Sequence, residues 1–221
     1  MTKQFYKNAN RSTKEVLGEL TQNEKLLGVL TGQWGDHGLP PERSSFAMHA
    51  MVARHYLDGG NYPVGGSRMI AEYTTDLIEK LGGKVVVSTG VDEILVHGGK
   101  VTGVRLENGN ELFADKVVSS AGLVNTVNTF LRNQPQFSKF KSKLKKVQPT
   151  ESYLCLYIGL KKSAKELGLK TTNLWIYPGY NHDKNIADYQ QDPDGDFPVV
   201  YVSFPSAKDP DWDKNHPGCA T

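Results

Sequence analysis

A glycine-rich loop is the first stretch of this sequence that could bind a ligand. The segment GGNYPVGGSRMIAE (residues 59–72) holds two glycine pairs, and Ser67 stands where it can cap a following helix. Glycine turns that open a helix are typical of phosphate sites, because backbone N–H groups and the helix dipole favour an anion. The segment nevertheless lacks both the GxGxxG spacing and the lysine of a P-loop. Its spacing therefore favours a structural turn followed by a capped helix.

Residues that could bind a metal are present, but their spacing is unfavourable. His49 and His55 lie about 240° apart around a helix, so they do not share a face as ligands at i and i+4 would. The alternating aspartates of residues 192–196 resemble a calcium loop, but Ser203 stands where the loop's final glutamate is required. We therefore predict no metal site, and His49 is interpreted as a core histidine. No spacing supports a catalytic triad or a carboxylate pair, so the sequence assigns no catalytic residue.

The composition is that of an ordinary globular protein. Of 221 residues, 38% are hydrophobic and 23% are charged, and the formal net charge of +2 does not indicate nucleic-acid binding. The basic run at residues 139–148 is interpreted as a solvated helix face. Two cysteines cannot form a disulfide framework, and Cys155, in an apolar run, is expected to be a core thiol. Neither a signal peptide nor a transmembrane segment is recognised, which predicts a cytoplasmic or membrane-peripheral location.

The elements around these residues begin with helices. Residues 12–15 form a capping box, and Asn23 can cap a second short helix that ends near Gly32. Pro40–Pro41 is expected to start a third helix over residues 44–57, which is apolar around most of its circumference. Such a helix is expected to be buried on more than one side.

From residue 83 onward the hydrophobic period changes to two, which indicates strands. A glycine pair and the dipeptide Asn108–Gly109 are typical hairpin turns, and they predict a three-stranded meander. The last hundred residues combine helices over residues 123–146 with three strands of one sheet and a turn-rich loop at 190–198. The predicted strands are 84–88, 93–97, 100–107, 111–114, 114–122, 151–160, 173–178 and 197–205. The predicted fold class is a mixed α/β protein.

Two long stretches resemble a known enzyme family. Residues 44–127, from SSFAMHAMVARHYLDGGNYPVGGSRMIAE to VVSSAGLVNTV, resemble the FAD-dependent retinol saturase, carotenoid isomerase and phytoene desaturase family. FPSAKDPDWDKNHPG (residues 204–218) is similar to its retinol saturase-like branch. The resemblance implies a partial FAD/NAD(P)-binding Rossmann-like segment with the meander, at residues 61–122. Residues 1–60 and 123–221 would then supply helical and mixed-sheet parts of a substrate domain.

The resemblance also implies which residues contact the cofactor. In this flavoprotein fold the strand that matches residues 90–94 passes the adenine, and the backbone of Val91 pairs with it. The small residues at the end of the predicted strand 114–122 approach the adenosine. The loop at residues 65–67 would re-enter the flavin domain beside the ring. The candidate FAD contacts are therefore Val91, Ala121, Gly122, Gly65, Gly66 and Ser67.

The family comparison implies oxidoreductase chemistry on C=C bonds of apolar polyenes, with an isoprenoid small molecule as substrate. Because the family's GxGxxG segment and its closing glycine-rich flavin segment are not found here, the chain is expected to be a central fragment. Such a fragment is expected to be inactive alone and not to retain FAD. Two alternatives stay open: a fragment of an amine-oxidase-type flavoenzyme, and a cofactor-free binding remnant. The resemblance leaves open whether NAD(P) takes part, whether the whole protein associates with membranes, and its oligomeric state.

Overall fold

The computed structural model describes residues 3–147 and 150–221. The chain divides into two compact units, of which the first combines residues 1–74 with 150–221. The second unit is the middle of the chain, residues 75–149. The division at residues 60 and 122, taken from the sequence, stays a prediction.

Short helices open the first unit, as predicted. They are α1 (Lys3–Asn8), α2 (Thr13–Gly18), α3 (Glu24–Leu30), a 3-10 turn (Trp34–Asp36) and α4 (Phe46–Tyr56). The predicted capping box is present, because Ser12 Oγ accepts from the Glu15 amide at 3.1 Å and Glu15 Oε2 accepts from the Ser12 amide at 2.9 Å. Asn23 Oδ1 caps α3 by accepting from the amide of Leu26 at 3.2 Å.

The start and the burial of α4 were predicted wrongly. Ser45 caps this helix by accepting from the Ala47 amide at 3.1 Å, whereas the carbonyl of Pro40 closes a separate turn with the amides of residues 43 and 44. The helix contains no buried residue, and Met51 is 56% exposed. Helix α4 is apolar around most of its circumference but is not buried, since burial depends on what packs against the helix.

The helix and the meander that follow the glycine loop agree with the prediction. Helix α5 (Arg68–Lys80) is followed by three antiparallel strands, β1 (Val91–His97), β2 (Lys100–Leu106) and β3 (Glu111–Phe113), in the order β1-β2-β3. In the hairpin turn between β2 and β3, the Asn108 side chain accepts from the Asn110 amide at 3.1 Å. Hydrophobic alternation and hairpin dipeptides therefore located this sheet correctly.

Three predicted strands are not strands in the structure: residues 84–88, 114–122 and 151–160. Most of their side chains are exposed, with Val118 at 98% and Leu154 at 99%, and Cys155, expected in the core, is exposed as well. Strand propensity reflects packing against a neighbouring strand more than the backbone itself. Within the described ranges these segments find no such neighbour, apart from a single bridge between Leu160 and Ala220.

The remaining elements follow the predicted mixture. Strand β4 (Leu174–Ile176) pairs antiparallel with β5 (Val200–Val202), which confirms two of the three strands expected in this sheet. The helices are α6 (Leu123–Asn125), continued by a π turn (Thr126–Phe130), a 3-10 turn (Pro135–Phe137), α7 (Ser138–Leu144), α8 (His182–Gln191), α9 (Pro205–Lys208) and α10 (Trp212–Asn215). In the part of the chain that the structure describes, none of the helices combines the length and apolar character needed to cross a bilayer.

Candidate functional site

The glycine loop before α5 already holds an anionic group, and that group belongs to the protein. Gly65 and Gly66 have φ values of +86° and +83°, which L side chains rarely adopt. The amide of Gly65 donates to Oδ1 of Asp209 at 3.0 Å, and the same oxygen accepts from the amide of Asp211 at 3.1 Å. Asp209 is only 8% exposed. The loop is therefore fixed to the segment after α9 by a buried carboxylate.

A neighbouring lysine adds a second link between the same two segments. Lys208 Nζ lies 5.8 Å from the centroid of the Tyr62 ring, within the range of a cation–π contact. The same ammonium donates to Ser203 Oγ at 2.6 Å and to the Asn173 side chain. Burial lowers the pKa of Lys208. The loop is thus held at Tyr62 and at Gly65.

Asp209→Ala is expected to destabilise the first unit by about 2 kcal/mol, because two amides lose their acceptor inside the protein. Asp209→Asn, which keeps an oxygen at this position, is expected to cost less. Urea unfolding of both variants measures the difference. Asp213→Ala removes an exposed carboxylate four residues away and is the matched control. Equal stability of Asp209→Ala and this control would remove Asp209 as the anchor of the loop.

The edge of the meander at Val91 has the geometry of a backbone-binding site. The carbonyl of Gly90 accepts from the Glu107 amide at 2.9 Å and therefore points toward the segment that follows β2. Because backbone groups alternate in direction along a strand, those of Val91 point to the opposite edge. Among the described residues β1 pairs only with β2, so no second strand pairs with this edge. A planar ring with a donor and an acceptor can pair with the backbone of Val91 there.

A β-bulge next to Val91 is fixed by side chains that the sequence did not single out. The pairing register shifts between Val91 and Glu93, which leaves Asp92 in the bulge. Arg132 binds Asp92 twice, at 2.7 Å to its carbonyl and at 2.6 Å to Oδ2. Glu93, which is 8% exposed, accepts from Asn133 Nδ2 at 3.0 Å and from Arg105 Nη1 at 2.5 Å. No local pattern indicates these contacts, because the partners lie far apart in sequence.

The small residues after the predicted strand 114–122 lead into α6. The carbonyl of Ala121 accepts from Asn125 Nδ2 at 3.0 Å, and that of Gly122 accepts from the Thr126 amide at 2.9 Å. Gly122 has φ +85°, and the space where a Cβ would stand is open within 4 Å. This turn therefore exposes backbone in a conformation that glycine adopts without strain. It can be approached closely, as a nucleotide contact requires.

A mainly apolar cavity of about 450 Å³ lies between the meander and this turn. Ser119 contributes a hydroxyl to its wall and shares a hydrogen bond of 2.7 Å with Thr126. The candidate FAD contacts nevertheless fall in different units. Gly65, Gly66 and Ser67 belong to the first unit, whereas Val91, Ala121 and Gly122 belong to the second.

These residues fit part of a flavin nucleotide and not all of it. The open edge at Val91 fits the rim of a planar base, and the turn at Gly122 allows a close approach. The loop at Gly65 does not fit a phosphate, because its amide already donates to a carboxylate. A phosphate placed there would have to displace a buried anion, and the two like charges would repel.

His49 is half-buried rather than part of the core, since α4 contains no buried residue. Its ring lies 6.3 Å from that of His37 in an edge-on arrangement. Burial lowers the pKa of His49, and burial together with the neighbouring ring lowers the pKa of His37. Both imidazoles are therefore harder to protonate than free histidine. Within the described ranges no three potential ligand side chains are grouped for a metal ion.

Comparison with known proteins identifies the family of this chain. Residues 4–213 match the family described as flavin containing amine oxidoreductase. The chain is 37% identical over 98% of its length to all-trans-retinol 13,14-reductase from Danio rerio, and 34% identical over 96% to the inactive all-trans-retinol 13,14-reductase of that fish. It is 34% identical over 87% of its length to phytoene desaturase from Neurospora crassa. It spans only 37%, 36% and 33% of these three relatives. The chain belongs to the flavin-containing amine oxidoreductase family.

Proposed function

We propose that this chain is the central part of an FAD-dependent oxidoreductase that acts on C=C bonds of apolar polyenes. The relatives named for retinol and phytoene support this substrate class. Saturation, desaturation and isomerisation are the reactions considered, and the chain would contribute to them only within a longer protein. The relative named as inactive is a reason to test activity directly rather than to assume it from membership.

The observation that carries the proposal is the open edge of β1 at Val91, beside a bulge held by Arg132. There the backbone of Val91 would pair with the adenine, while Ala121 and Gly122 let the adenosine approach. Bound flavin would supply hydride transfer. The protein's own part is to hold the nucleotide, orient the polyene and exclude water.

Gly65, Gly66 and Ser67 are proposed to lie beside the flavin ring rather than on the pyrophosphate. The hydrogen bond from Gly65 to Asp209 supports this role, because it fixes the loop without any ligand. A loop fixed in advance loses little conformational entropy when a ring packs against it. Participation of NAD(P) and peripheral membrane association are parts of the proposal that biochemical fractionation and cofactor assays must decide.

Val91→Pro is expected to lower the flavin content of the longer protein about fivefold, since it removes the backbone N–H proposed to pair with adenine. Val91→Ala keeps that N–H and is the matched control. Flavin absorbance per mole of purified protein measures the effect. Normal flavin content in a folded Val91→Pro variant would contradict the proposed contact between Val91 and the adenine.

The proposed activity is tested with the longer protein and an acyclic polyene, a polyene alcohol and a primary amine as substrates. Chromatography of the products under exclusion of light detects saturation, desaturation or isomerisation, and peroxide formation detects amine oxidation. Conversion of a polyene that depends on added FAD supports the proposal. Conversion of the amine alone would replace it with the amine-oxidase alternative, and flavin-free protein that binds polyenes without converting them would favour a binding remnant.

A further inference from the structure

The segment that leads into α8 packs directly on the backbone of α3. Gly28 of α3 is buried, and a Cβ there would lie 2.6 Å from the carbonyl oxygen of Tyr180 and 2.8 Å from its Cβ. Two side chains bind carbonyl groups at the same end of α3. His182 Nε2 lies 2.9 Å from the Gly28 oxygen, and the Tyr177 hydroxyl donates to the carbonyl of Gly32. We call these five residues the α3–α8 joint.

The imidazole of His182 is buried in this joint with one nitrogen unpaired. His182 is 3% exposed. A carbonyl can only accept, so Nε2 carries the hydrogen and the neutral ring has a bare Nδ1. Nδ1 is buried and has no hydrogen-bond partner among the residues that the structure describes. A proton added to Nδ1 therefore creates a charge and a donor inside the protein without an acceptor.

The charged groups around the joint do not supply that acceptor. Asp183, the next residue of α8, is already engaged, because Oδ1 accepts from the Glu42 amide at 3.0 Å and Oδ2 lies 3.8 Å from Lys14 Nζ. Lys25 of α3 lies 5.9 Å from the centroid of the Tyr180 ring and adds positive charge. The remaining titratable side chains of the packed elements are Glu24 on α3, Tyr177 and Tyr180 before α8, and Lys184, Asp188 and Tyr189 on α8.

Burial decides the protonation of His182. It lowers the pKa of His182, while the hydrogen bond to Gly28 and the charge of Asp183 oppose part of that shift. The Tyr177 ring, with its centroid 4.3 Å from that of the imidazole, also favours a cation. A pKa below the ordinary 6.5 means that the closed joint binds fewer protons than the opened chain. His182 therefore contributes full stability above about pH 6.5, and this contribution is lost as the pH falls below that value.

We propose that the α3–α8 joint opens when His182 is protonated, which makes this contact a pH-sensitive device within the first unit. Once α8 separates from α3, water solvates the new charge and accepts from the Nδ1 hydrogen. The joint contains none of the candidate flavin contacts, so the inference does not depend on the proposed function.

Hydrogen exchange of the full 221-residue chain, corrected for the intrinsic pH dependence of exchange, measures opening of the joint. A released histidine with a pKa of 6.5 is protonated about ten times more often than neutral at about pH 5.5. Protection of the amides of α3 and α8 is therefore expected to fall about tenfold between about pH 7.5 and about pH 5.5. The amides of β1 and β2 serve as the internal reference.

Three variants separate titration of His182 from other effects. His182→Gln keeps a donor for the Gly28 carbonyl but does not titrate, so protection is expected to be equal at both pH values. Tyr177→Phe removes the hydrogen bond to Gly32 and is expected to lower protection at both pH values without changing their ratio. His37→Gln is the matched control, because His37 also has a buried, unpaired Nε2 but lies outside the joint. It is expected to keep the tenfold change.

Each other outcome overturns the inference. Equal protection at both pH values in the unchanged chain, or a change that survives His182→Gln, removes His182 as the sensor. A change abolished by His37→Gln assigns the pH dependence to the pair of His37 and His49 instead. An NMR titration of the His182 imidazole in the unchanged chain needs no variant, and a pKa at or above 6.5 there also overturns the inference. Circular dichroism identifies any variant that misfolds.

Discussion

Replacing Gly103 with alanine is expected to destabilise the meander by about 3 kcal/mol or more, as the sum of overpacking and backbone strain. A Cβ at this position would lie 2.1 Å from the carbonyl oxygen of Leu112 and 2.9 Å from the Cα of Phe113. Both atoms are backbone of β3, so they cannot move aside as a flexible side chain would. The φ of +151° adds strain for any residue with a side chain.

The control for this variant is Gly98→Ala in the turn between β1 and β2. Gly98 has φ +56°, but no atom lies within 4 Å of the point where a Cβ would stand. Gly98→Ala therefore measures the cost of backbone strain without a clash, and this strain is about 1–2 kcal/mol for an L residue. Hydrogen exchange of the amides of β1 and β2 measures local stability in both variants. Similar protection in the two would contradict the packing described between β2 and β3.

Titration of the purified chain with FAD is expected to show an affinity weaker than micromolar. The sequence contains no GxGxxG turn, and the amide of Gly65 is occupied by Asp209. The remaining contact is the edge of β1, where each hydrogen bond contributes about 1 kcal/mol. A few such bonds cannot offset the several kcal/mol of rigid-body entropy lost on association.

Calorimetry or flavin fluorescence at increasing chain concentration measures this affinity, and AMP serves as a probe of the adenine edge alone. Weak binding of AMP that disappears in Val91→Pro would agree with the proposed adenine contact. Binding of FAD at or below micromolar Kd, about −8 kcal/mol, would mean that the chain carries a phosphate site of its own. Asp209→Ala would then show whether the glycine loop is that site, because removal of the competing carboxylate should tighten it.

Local sequence signals predicted those elements whose partners are also local. The capping box at residues 12–15 and the hairpin at Asn108–Gly109 each involve residues within one turn, so the pattern contains the whole interaction. Residues 84–88 and 151–160 are apolar, like the strands of the meander, but they have no neighbouring strand in the described part of the chain. A strand is a property of two segments, and the sequence of one segment cannot supply the second.

In the candidate sites, too, local features could be predicted, whereas contacts between distant residues could not. The glycine loop was visible because its residue types are unusual, but nothing near it in sequence indicates that Asp209 binds its amide. Arg132 and Asp92 also lie far apart, 40 residues along the chain. Such groups arise from tertiary packing, which periodicity does not encode.

Because residues 75–149 interrupt the first unit, its two parts leave the ribosome at different times during synthesis. The three strands of the meander pair with immediate neighbours, so they can form as soon as residue 113 has left the ribosome. The bond between Gly65 and Asp209 must wait for about 100 further residues, which takes about 5–20 s at ordinary rates of translation. The middle of the chain is therefore expected to fold first, and the glycine loop to be fixed last.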